Sequence, residues 1–223
     1  MDLILLLTAP KKHRDATLVA CIKSHIDNMP DLDINEVVTV GPGGDFEADL
    51  STPRLINRAM WSVVNDPDIS EHFVLSSDNT FLTGRHDAKS ITCLQKSDYL
   101  RRKGLWTDAM AATIGYLSMD NRPTYDYETN RPVVMDKAFL TAAMSQMIGG
   151  AYMLRTMYFN TYYSDPSRVP SNVVDRWLYG MEVKDTVSCF AETCFYHPEF
   201  MEWIKKTYGI LPPRAVRKKG YGK

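Results

Sequence analysis

Short apolar runs alternate with amphipathic stretches along the first part of the chain. Residues 3–8 form a continuous aliphatic run, which is typical of a strand buried on both faces. Residues 16–29 carry apolar side chains at helical spacing, and Pro30 ends this helix because proline cannot donate the next hydrogen bond. Residues 36–40 predict a second buried strand. Together these elements predict a βαβ unit with a right-handed crossover.

A second helix and a third strand follow. Residues 41–44 are three glycines and a proline without the lysine or the spacing of a phosphate-binding loop, so they predict a turn. Pro53 is typical of a helix start, and the helix is predicted over residues 54–64. Residues 72–76 predict a strand that runs directly into Asp78. Doubly wound sheets bind ligands beyond the carboxyl ends of their strands, so Asp78 is expected at the ligand-binding edge.

The second half of the chain has a less regular pattern. Helices are predicted over residues 107–117, 136–147 and 200–208, the last ended by Gly209. An aromatic-rich stretch occupies residues 152–163. The predicted fold class is therefore α/β: a Rossmann-like, mostly parallel central sheet flanked by helices, with a helical C-terminal half.

Composition narrows the function classes. The chain has 223 residues, enough for one α/β domain with a full core, and a formal net charge of -1. Bulk attraction to nucleic acid or to an acidic membrane is therefore not expected, although a local basic face could still bind nucleic acid. The four cysteines form no CxxC pair, and no apolar run approaches bilayer length. These features predict a cytoplasmic protein that does not bind a membrane.

The residue types around Asp78 suit a divalent cation. Magnesium and manganese take hard oxygen ligands, often one or two carboxylates together with diphosphate oxygens. A cation bound there would neutralise the charge that builds on a departing nucleoside diphosphate. The alternative is an aspartate that only caps its own turn.

Three segments carry a family resemblance. Residues 66–82 contain an Ile-Ser-Glu phrase, a hydrophobic strand and an Asp-Asn pair followed by Thr and Phe. This pattern resembles the central motif of the Stealth family of sugar-phosphate transferases, and resembles small phage-encoded glycosyltransferase-like proteins more closely. Residues 129–137 resemble a later block that precedes a helix, and residues 203–213 resemble the closing block, a helix followed by proline.

The resemblance implies a fold, a domain organisation and an activity. It implies a glycosyltransferase-A-like (GT-A-like) catalytic domain over residues 1–213, with a nucleotide-sugar-binding half at 1–90 and an acceptor-side half at 91–213. Residues 214–223 would form a basic tail. The implied activity is transfer of a sugar from a nucleoside-diphosphate sugar to a hydroxyl group.

The chain departs from the family pattern in three ways, one of which is that its closing block lacks the usual acidic residue after the proline. Asp78 matches the first aspartate of the family's acidic pair, which implies a manganese or magnesium ligand. Asn79 replaces the second aspartate, so one metal ligand is lost or becomes an amide oxygen. Asn130 stands where the family usually has histidine, which removes a general base or a phosphate contact. These departures bear on metal dependence and on the exact transfer chemistry.

Several polar residues could bind the nucleotide sugar. Thr8 and Arg14 follow the first strand, where such folds receive the nucleotide, and arginine presents a planar fork suited to phosphate. Arg54 and Arg58 lie one turn apart on the second predicted helix and could clamp the diphosphate. The alternatives are a solvated turn and an exposed helix face. The full predicted set is Thr8, Arg14, Arg54, Asn57, Arg58, Ser77, Asn79, Asn130 and Lys137.

An inverting transfer needs a base for the proton of the acceptor. The carboxylates near the second block are Asp126, Glu128 and Asp136, and one of them is predicted to be catalytic. Asp136 could instead cap the helix that it begins. Lys137 beside it is equally consistent with a solvated residue of the first turn.

A basic cluster with a flanking aromatic residue suggests an acceptor. Arg101, Arg102 and Lys103 lie close to Trp106, and basic side chains interleaved with aromatic ones can hold a polynucleotide. The phage-like form of the motif implies a hydroxylated or hydroxymethylated pyrimidine in phage DNA as one acceptor. A solvated surface explains the same residues. Two other functions stay open: sugar 1-phosphate transfer, and a non-catalytic module that binds sugar or nucleic acid.

Overall fold

The computed structural model describes most of the chain. Predicted acceptor residues Arg101, Arg102 and Lys103, and the predicted basic tail at 214–223, lie outside it. The described residues are 1–94, 105–147, 150–163, 165–169, 173–174, 177–178, 182–183 and 185–209.

Helices and strands alternate through the first third of the molecule. The helices are α1 (Lys11–Asn28), α2 (Pro53–Val64), α3 (Leu105–Met119), α4 (Lys137–Ser145), α5 (Leu154–Tyr162) and α6 (Pro198–Tyr208). The strands are β1 (Asp2–Leu6), β2 (Glu36–Val40), β3 (His72–Ser77), β4 (Thr80–Leu82), β5 (Thr92–Leu94), β6 (Val133–Asp136), β7 (Ser167–Val169), β8 (Val173–Val174) and β9 (Val187–Phe190). Over the described residues, no helix combines the length and the apolar character needed to cross a bilayer.

The central sheet has the strand order β2-β1-β3-β6. β1 is parallel to both β2 and β3, so that Ile4 pairs with Val38 on one side and with Leu75 on the other. β6 completes the edge in the antiparallel direction. Because β2 and β3 lie on opposite sides of β1, the strand order reverses at β1. The mostly parallel α/β sheet predicted from the sequence is confirmed.

Helices cover both faces of this sheet. Ile4 belongs to a core formed with α2, α4 and α5, whereas its neighbours Leu3 and Leu5 point to the other face and belong to a core with α1 and α6. The alternation follows from the pleat of a strand, which sends successive side chains to opposite faces. Burial on both faces explains why β1 is aliphatic throughout.

Most predicted boundaries shift by one or two residues, and two differences from the sequence prediction bear on the fold. α1 begins at Lys11 rather than at residue 16, because the polar residues before Ala16 form the first turn of the helix instead of a loop. Residues 133–136 form the edge strand β6 and α4 starts only at Lys137, whereas a helix was predicted from Asp136. This strand pairs with β3, which is distant in sequence, so no local periodicity announces it.

The turn after β2 depends on glycine. Gly41 has a φ of 136°, and a Cβ atom there would lie 2.9 Å from Cβ of Leu7. Only glycine tolerates both the backbone conformation and the close approach. The turn predicted at residues 41–44 is confirmed, and it brings the carbonyl group of Pro42 towards the end of β1.

A buried histidine joins α1 to β3. Nδ1 of His25 donates to the carbonyl oxygen of Cys21 at 2.8 Å, and Nε2 accepts from the hydroxyl group of Ser76 at 2.8 Å. Both ring nitrogens are thus satisfied in the neutral form. Burial lowers the pKa of His25 to about 4, because the charged imidazolium is poorly solvated inside the core.

We expect the stability of the fold to decrease between pH 6.5 and pH 4. The folded-state pKa of His25 is depressed, so its contribution is complete above the unfolded pKa and is lost as the pH falls through the folded value. The loss by pH 4 should be about 3 kcal/mol. Urea denaturation at a series of pH values, on the parent and on His25→Gln, measures it.

The control is His72→Gln at an exposed histidine. The His25→Gln variant should show a flatter pH dependence than either the parent or this control. An identical pH dependence in all three proteins would contradict the assignment.

Candidate active site

A cleft of about 180 Å³ lies at the carboxyl ends of β1 and β3. The first residues of α2 border it on one side, and the start of α5 borders it on the other. This is the point at which the strand order reverses, where doubly wound folds bind their ligands. The predicted site residues that line the cleft are Thr8, Asn57, Ser77, Asn79, Trp106, Glu128 and Asn130.

Asp78 lies at the same edge but is fully buried and does not line the cleft. Oδ1 accepts hydrogen bonds from the backbone N–H groups of Thr8 and Ala9, both at 2.7 Å, and from the hydroxyl group of Thr8 at 3.2 Å. Oδ2 forms an ion pair with Nε of Arg14 at 3.2 Å. Burial raises the pKa of Asp78, while these donors oppose the rise and stabilise the carboxylate. The side chain fixes the loop after β1 against the end of β3.

Arg14 also directs its hydrogen-bond donors to protein acceptors. Its guanidinium group donates to the carbonyl oxygens of Pro42 at 2.6 Å and Ala9 at 2.8 Å, in addition to its pair with Asp78. Only 8% of the residue is exposed. Arg14 therefore links the turn after β2 to the ends of β1 and β3, and it does not face the cleft where a phosphate would bind.

The residues around Asp78 do not fit a divalent cation. Both carboxylate oxygens of Asp78 already accept from protein donors. The amide oxygen of Asn79 accepts from the hydroxyl group of Ser77 at 2.6 Å, and its nitrogen donates to the carbonyl oxygen of Phe190 at 3.1 Å. Within the described ranges, no group of three His, Cys, Asp or Glu residues comes together as a metal site. A cation at Asp78 would have to displace this network.

Asn79 instead connects the cleft to a second sheet. Its backbone carbonyl accepts from the N–H group of Phe190 at 2.9 Å, next to the antiparallel pair β4 and β9. The hydroxyl group of Thr80 lies 3.0 Å from that of Ser77 and donates to the carbonyl oxygen of Asn130 at 3.3 Å. These bonds hold the wall of the cleft to the end of β3.

Two asparagines line the cleft, Asn57 and Asn130. Asn57 is 8% exposed; its nitrogen donates to the carbonyl oxygen of Tyr152 at 3.0 Å, and its buried oxygen has no partner among the described residues. Asn130 has a φ of 55°, a left-handed conformation that is uncommon outside glycine. Buried polar atoms are normally paired, so an unpaired amide oxygen in a cleft suits a donor group of a ligand.

Glu128 is the carboxylate that faces the cleft. Oε1 accepts from the N–H group and the hydroxyl group of Thr156, at 3.1 and 3.2 Å, in the first turn of α5. The described residues donate no hydrogen bond to Oε2. Burial raises the pKa of Glu128, while the charge of Arg155 and the bonds from Thr156 limit the rise. The side chain thus combines a held oxygen with an available one.

Arg155 also lines the cleft, and the sequence analysis missed it. Its guanidinium group donates to the carbonyl oxygens of Arg131 and Leu75, and the residue is 8% exposed. Two of its five N–H donors are used in this way. The signal was an arginine within the aromatic-rich stretch, but only the fold brings it to the end of β3 beside Glu128.

The other predicted acid–base and phosphate residues lie elsewhere. Asp136 caps α4 by accepting from the N–H group of Phe139 at 2.8 Å, and it pairs with His72 at the start of β3. The length of β3 separates it from the cleft by about 17 Å. Lys137 donates to the carbonyl oxygens of residues 66 and 69. Asp126 accepts from the N–H group of Glu128 at 2.9 Å and does not line the cleft.

Arg54 and Arg58 line a second cleft of about 270 Å³. The two clefts lie on neighbouring sides of α2, and Asn57 lines both. Trp106 is 43% exposed and lines the first cleft together with Tyr152, so two aromatic side chains are available there.

Comparison with known proteins identifies the fold. No protein-family model and no curated protein sequence matches the chain. A crystal structure of an active-site mutant of LgtC superposes with a TM-score of 0.50 at 11% sequence identity, covering 96% of this chain and 98% of LgtC. Galactosyltransferase LgtC in complex with donor and acceptor sugar analogues gives a TM-score of 0.49 at 11% identity, with the same coverage. The chain therefore has the α/β fold of the GT-A glycosyltransferases.

We expect Asp78→Asn to destabilise the protein by about 3 kcal/mol, because breaking a buried ion pair leaves the Arg14 guanidinium without its counter-charge. Urea denaturation measures the loss. Adding Arg14→Gln should recover part of it, since the double variant no longer buries an unpaired charge. Asp68→Asn, at an exposed aspartate, is the control. Unchanged stability in Asp78→Asn would contradict the structural role.

Proposed function

We propose that the protein is a glycosyltransferase that moves a sugar from a nucleoside-diphosphate sugar to a hydroxyl group. The donor would bind in the cleft at the carboxyl ends of β1 and β3. The observation that carries the proposal is the composition of this cleft, which lies at the strand-order reversal of a GT-A fold. LgtC was crystallised with donor and acceptor sugar analogues, which agrees with a sugar substrate for this fold.

The groups in the cleft suit a sugar nucleotide. The hydroxyl group of Thr8 and the amides of Asn57 and Asn130 can exchange hydrogen bonds with sugar hydroxyl groups. Trp106 and Tyr152 offer aromatic faces for a sugar ring or a nucleobase. Apolar walls with a few convergent polar groups are typical of small-molecule sites.

Glu128 is proposed as the base for the acceptor. The acceptor oxygen would form a bond to the anomeric carbon while the bond from that carbon to the phosphate oxygen breaks. The proton of the acceptor hydroxyl group would pass to Oε2 of Glu128, and the nucleoside diphosphate would leave with the bonding electrons. The bonds from Thr156 would keep the carboxylate oriented during this transfer.

The charge of the leaving diphosphate needs a positive partner. Both carboxylate oxygens of Asp78 already accept from protein donors, so the described residues do not fit a divalent cation at this position. Arg155 lines the cleft and its guanidinium group retains unused N–H donors, so it is the proposed phosphate contact.

The acceptor and the transferred group are finer proposals that rest on the sequence resemblance. A hydroxymethylated pyrimidine in phage DNA is one proposed acceptor, and its base would have to leave the stack to enter a cleft of this kind. Transfer of a sugar 1-phosphate, the activity implied by the Stealth resemblance, would release a nucleoside monophosphate instead of a diphosphate. The released nucleotide distinguishes the two reactions.

One observation favours a second candidate function. Asp78, the carboxylate that matches the acidic motif, is occupied by Thr8, Ala9 and Arg14. A protein that keeps the fold and uses this aspartate only for architecture could bind a sugar or a nucleic acid without turnover.

We expect the full chain to release a nucleotide from at least one nucleotide sugar. A panel of donors, each tested with manganese and with a chelator, and with and without hydroxymethylated DNA, measures the released nucleotide. Equal release with manganese and with chelator is expected from the arrangement at Asp78. If the protein binds donors but releases no nucleotide under any of these conditions, the proposed enzyme activity is rejected in favour of a non-catalytic binding function.

We expect Glu128→Gln to lower turnover about 100-fold or more while the donor still binds, since the variant keeps the shape but loses the base. Turnover in the parent should also fall at low pH as Glu128 becomes protonated. The matched control is Glu71→Gln, at an exposed glutamate at the other end of β3. Turnover of Glu128→Gln within a few-fold of the control would reject Glu128 as the base.

A further inference from the structure

We propose that the second cleft, lined by Arg54, Arg58 and Trp61, is a separate binding site for a nucleotide. Its ligand would be a phosphate ester attached to a flat base, as a free nucleotide or as one unit of a single strand. The cleft has a volume of about 270 Å³, and its apolar part is formed by Met144 and Met147. The proposal concerns binding and does not depend on the proposed transferase activity.

The positive charge of this cleft is uncompensated. Arg54 and Arg58 lie one turn apart on α2 and are both exposed. Among the described residues, neither forms an ion pair, and no acidic side chain lines the cleft. Two neighbouring guanidinium groups with free N–H donors match the oxygens of a phosphate better than any neutral ligand.

An exposed aromatic side chain beside the two arginines provides a surface on which the base of the ligand can stack. Trp61 lies one turn beyond Arg58 on the same face of α2 and is 43% exposed. Met144 and Met147 are 7% and 6% exposed and provide an apolar floor. A base stacked on an exposed aromatic side chain next to a phosphate contact is a common mode of nucleotide binding, and stacking does not depend strongly on which base is present.

The amide oxygen of Asn57 is a further feature of this cleft that favours a ligand with a hydrogen-bond donor. The amide oxygen of Asn57 is buried and unpaired within the described part of the chain, and Asn57 lines this cleft as well as the first. Because its nitrogen is held by the carbonyl oxygen of Tyr152, the amide orientation is fixed. The oxygen can accept from a sugar hydroxyl group or a base N–H group, which phosphate alone does not supply.

The side chains of α2 divide between the two clefts. Pro53 and Ile56 line the first cleft, whereas Arg54, Arg58 and Trp61 line the second. The two arginines do not line the cleft at the ends of β1 and β3. Because Arg54 and Arg58 line only the second cleft, we assign them a ligand of their own instead of the diphosphate of the donor.

Binding of thymidine 5′-monophosphate, thymidine and inorganic phosphate to the full chain tests the proposal. Calorimetry at fixed, low ionic strength gives the three affinities, and the indole N–H resonance of Trp61, assigned from a Trp61→Phe variant, reports where the ligand binds. We expect the monophosphate to bind at least tenfold more tightly than thymidine or phosphate and to shift the Trp61 resonance. The double variant Arg54→Gln with Arg58→Gln should weaken its binding at least tenfold.

The matched control is Lys205→Gln with Lys206→Gln, which removes the same charge from two exposed residues of α6. Its affinity should equal that of the parent. A thymidine hexanucleotide identifies the source: tighter binding than the monophosphate supports a single strand, and equal binding supports a free nucleotide. The proposal is overturned if the arginine variant binds as tightly as the control, or if thymidine binds as tightly as its monophosphate.

Failure of this test and failure of the proposed function have different signatures. Loss of nucleotide binding to the second cleft, with donor turnover intact, would reject only this site. Absence of turnover, with arginine-dependent binding of the monophosphate, would reject only the transferase activity.

Discussion

The ion pair between Asp78 and Arg14 is the constraint on which the ligand-binding edge depends. Asp78 receives the N–H groups that follow β1, and Arg14 reaches the turn after β2, so one buried pair holds the ends of three adjacent strands. Parallel strands leave their terminal N–H and C=O groups unpaired at this edge, and these groups need partners when they are buried. The side chains of Asp78 and Arg14 supply these partners. The pair thereby determines the position of Thr8 and Ser77 at the cleft.

The location of Asp78 was predictable from the sequence, but its chemical role was not. The sequence correctly placed an aspartate just beyond a buried strand, at the edge where α/β sheets bind ligands. Its partner Arg14 lies 64 residues away, in a helix turn that local periodicity had assigned to a loop. A carboxylate that ends a strand is equally suited to bind a cation and to accept N–H groups. The choice between the two is made by residues that only the folded chain brings close.

The same limit explains which elements were predictable. β2 was predicted with its observed bounds because its valines stand between Glu36 and Gly41, although the strand lies at the edge of the sheet and is only partly buried. In contrast, β4, β6 and β9 are short and depend on antiparallel partners far along the chain. Asn57 and Asn130 were predicted because the helix and the family motif already pointed to the edge. Arg155 was missed because its role arises from contacts with the carbonyl groups of Leu75 and Arg131, which no spacing in the sequence encodes.

Asn57 links the two clefts physically. Its side chain lines both, its nitrogen donates to the carbonyl oxygen of Tyr152, and its buried oxygen has no partner within the described part of the chain. A ligand that draws this amide towards itself in either cleft also disturbs the bond to Tyr152, which lines the first cleft. Coupling between two binding sites is reciprocal, so each occupant would change the affinity of the other by the same factor. Two proposals that are independent in their chemistry therefore become dependent in their energetics through one amide group.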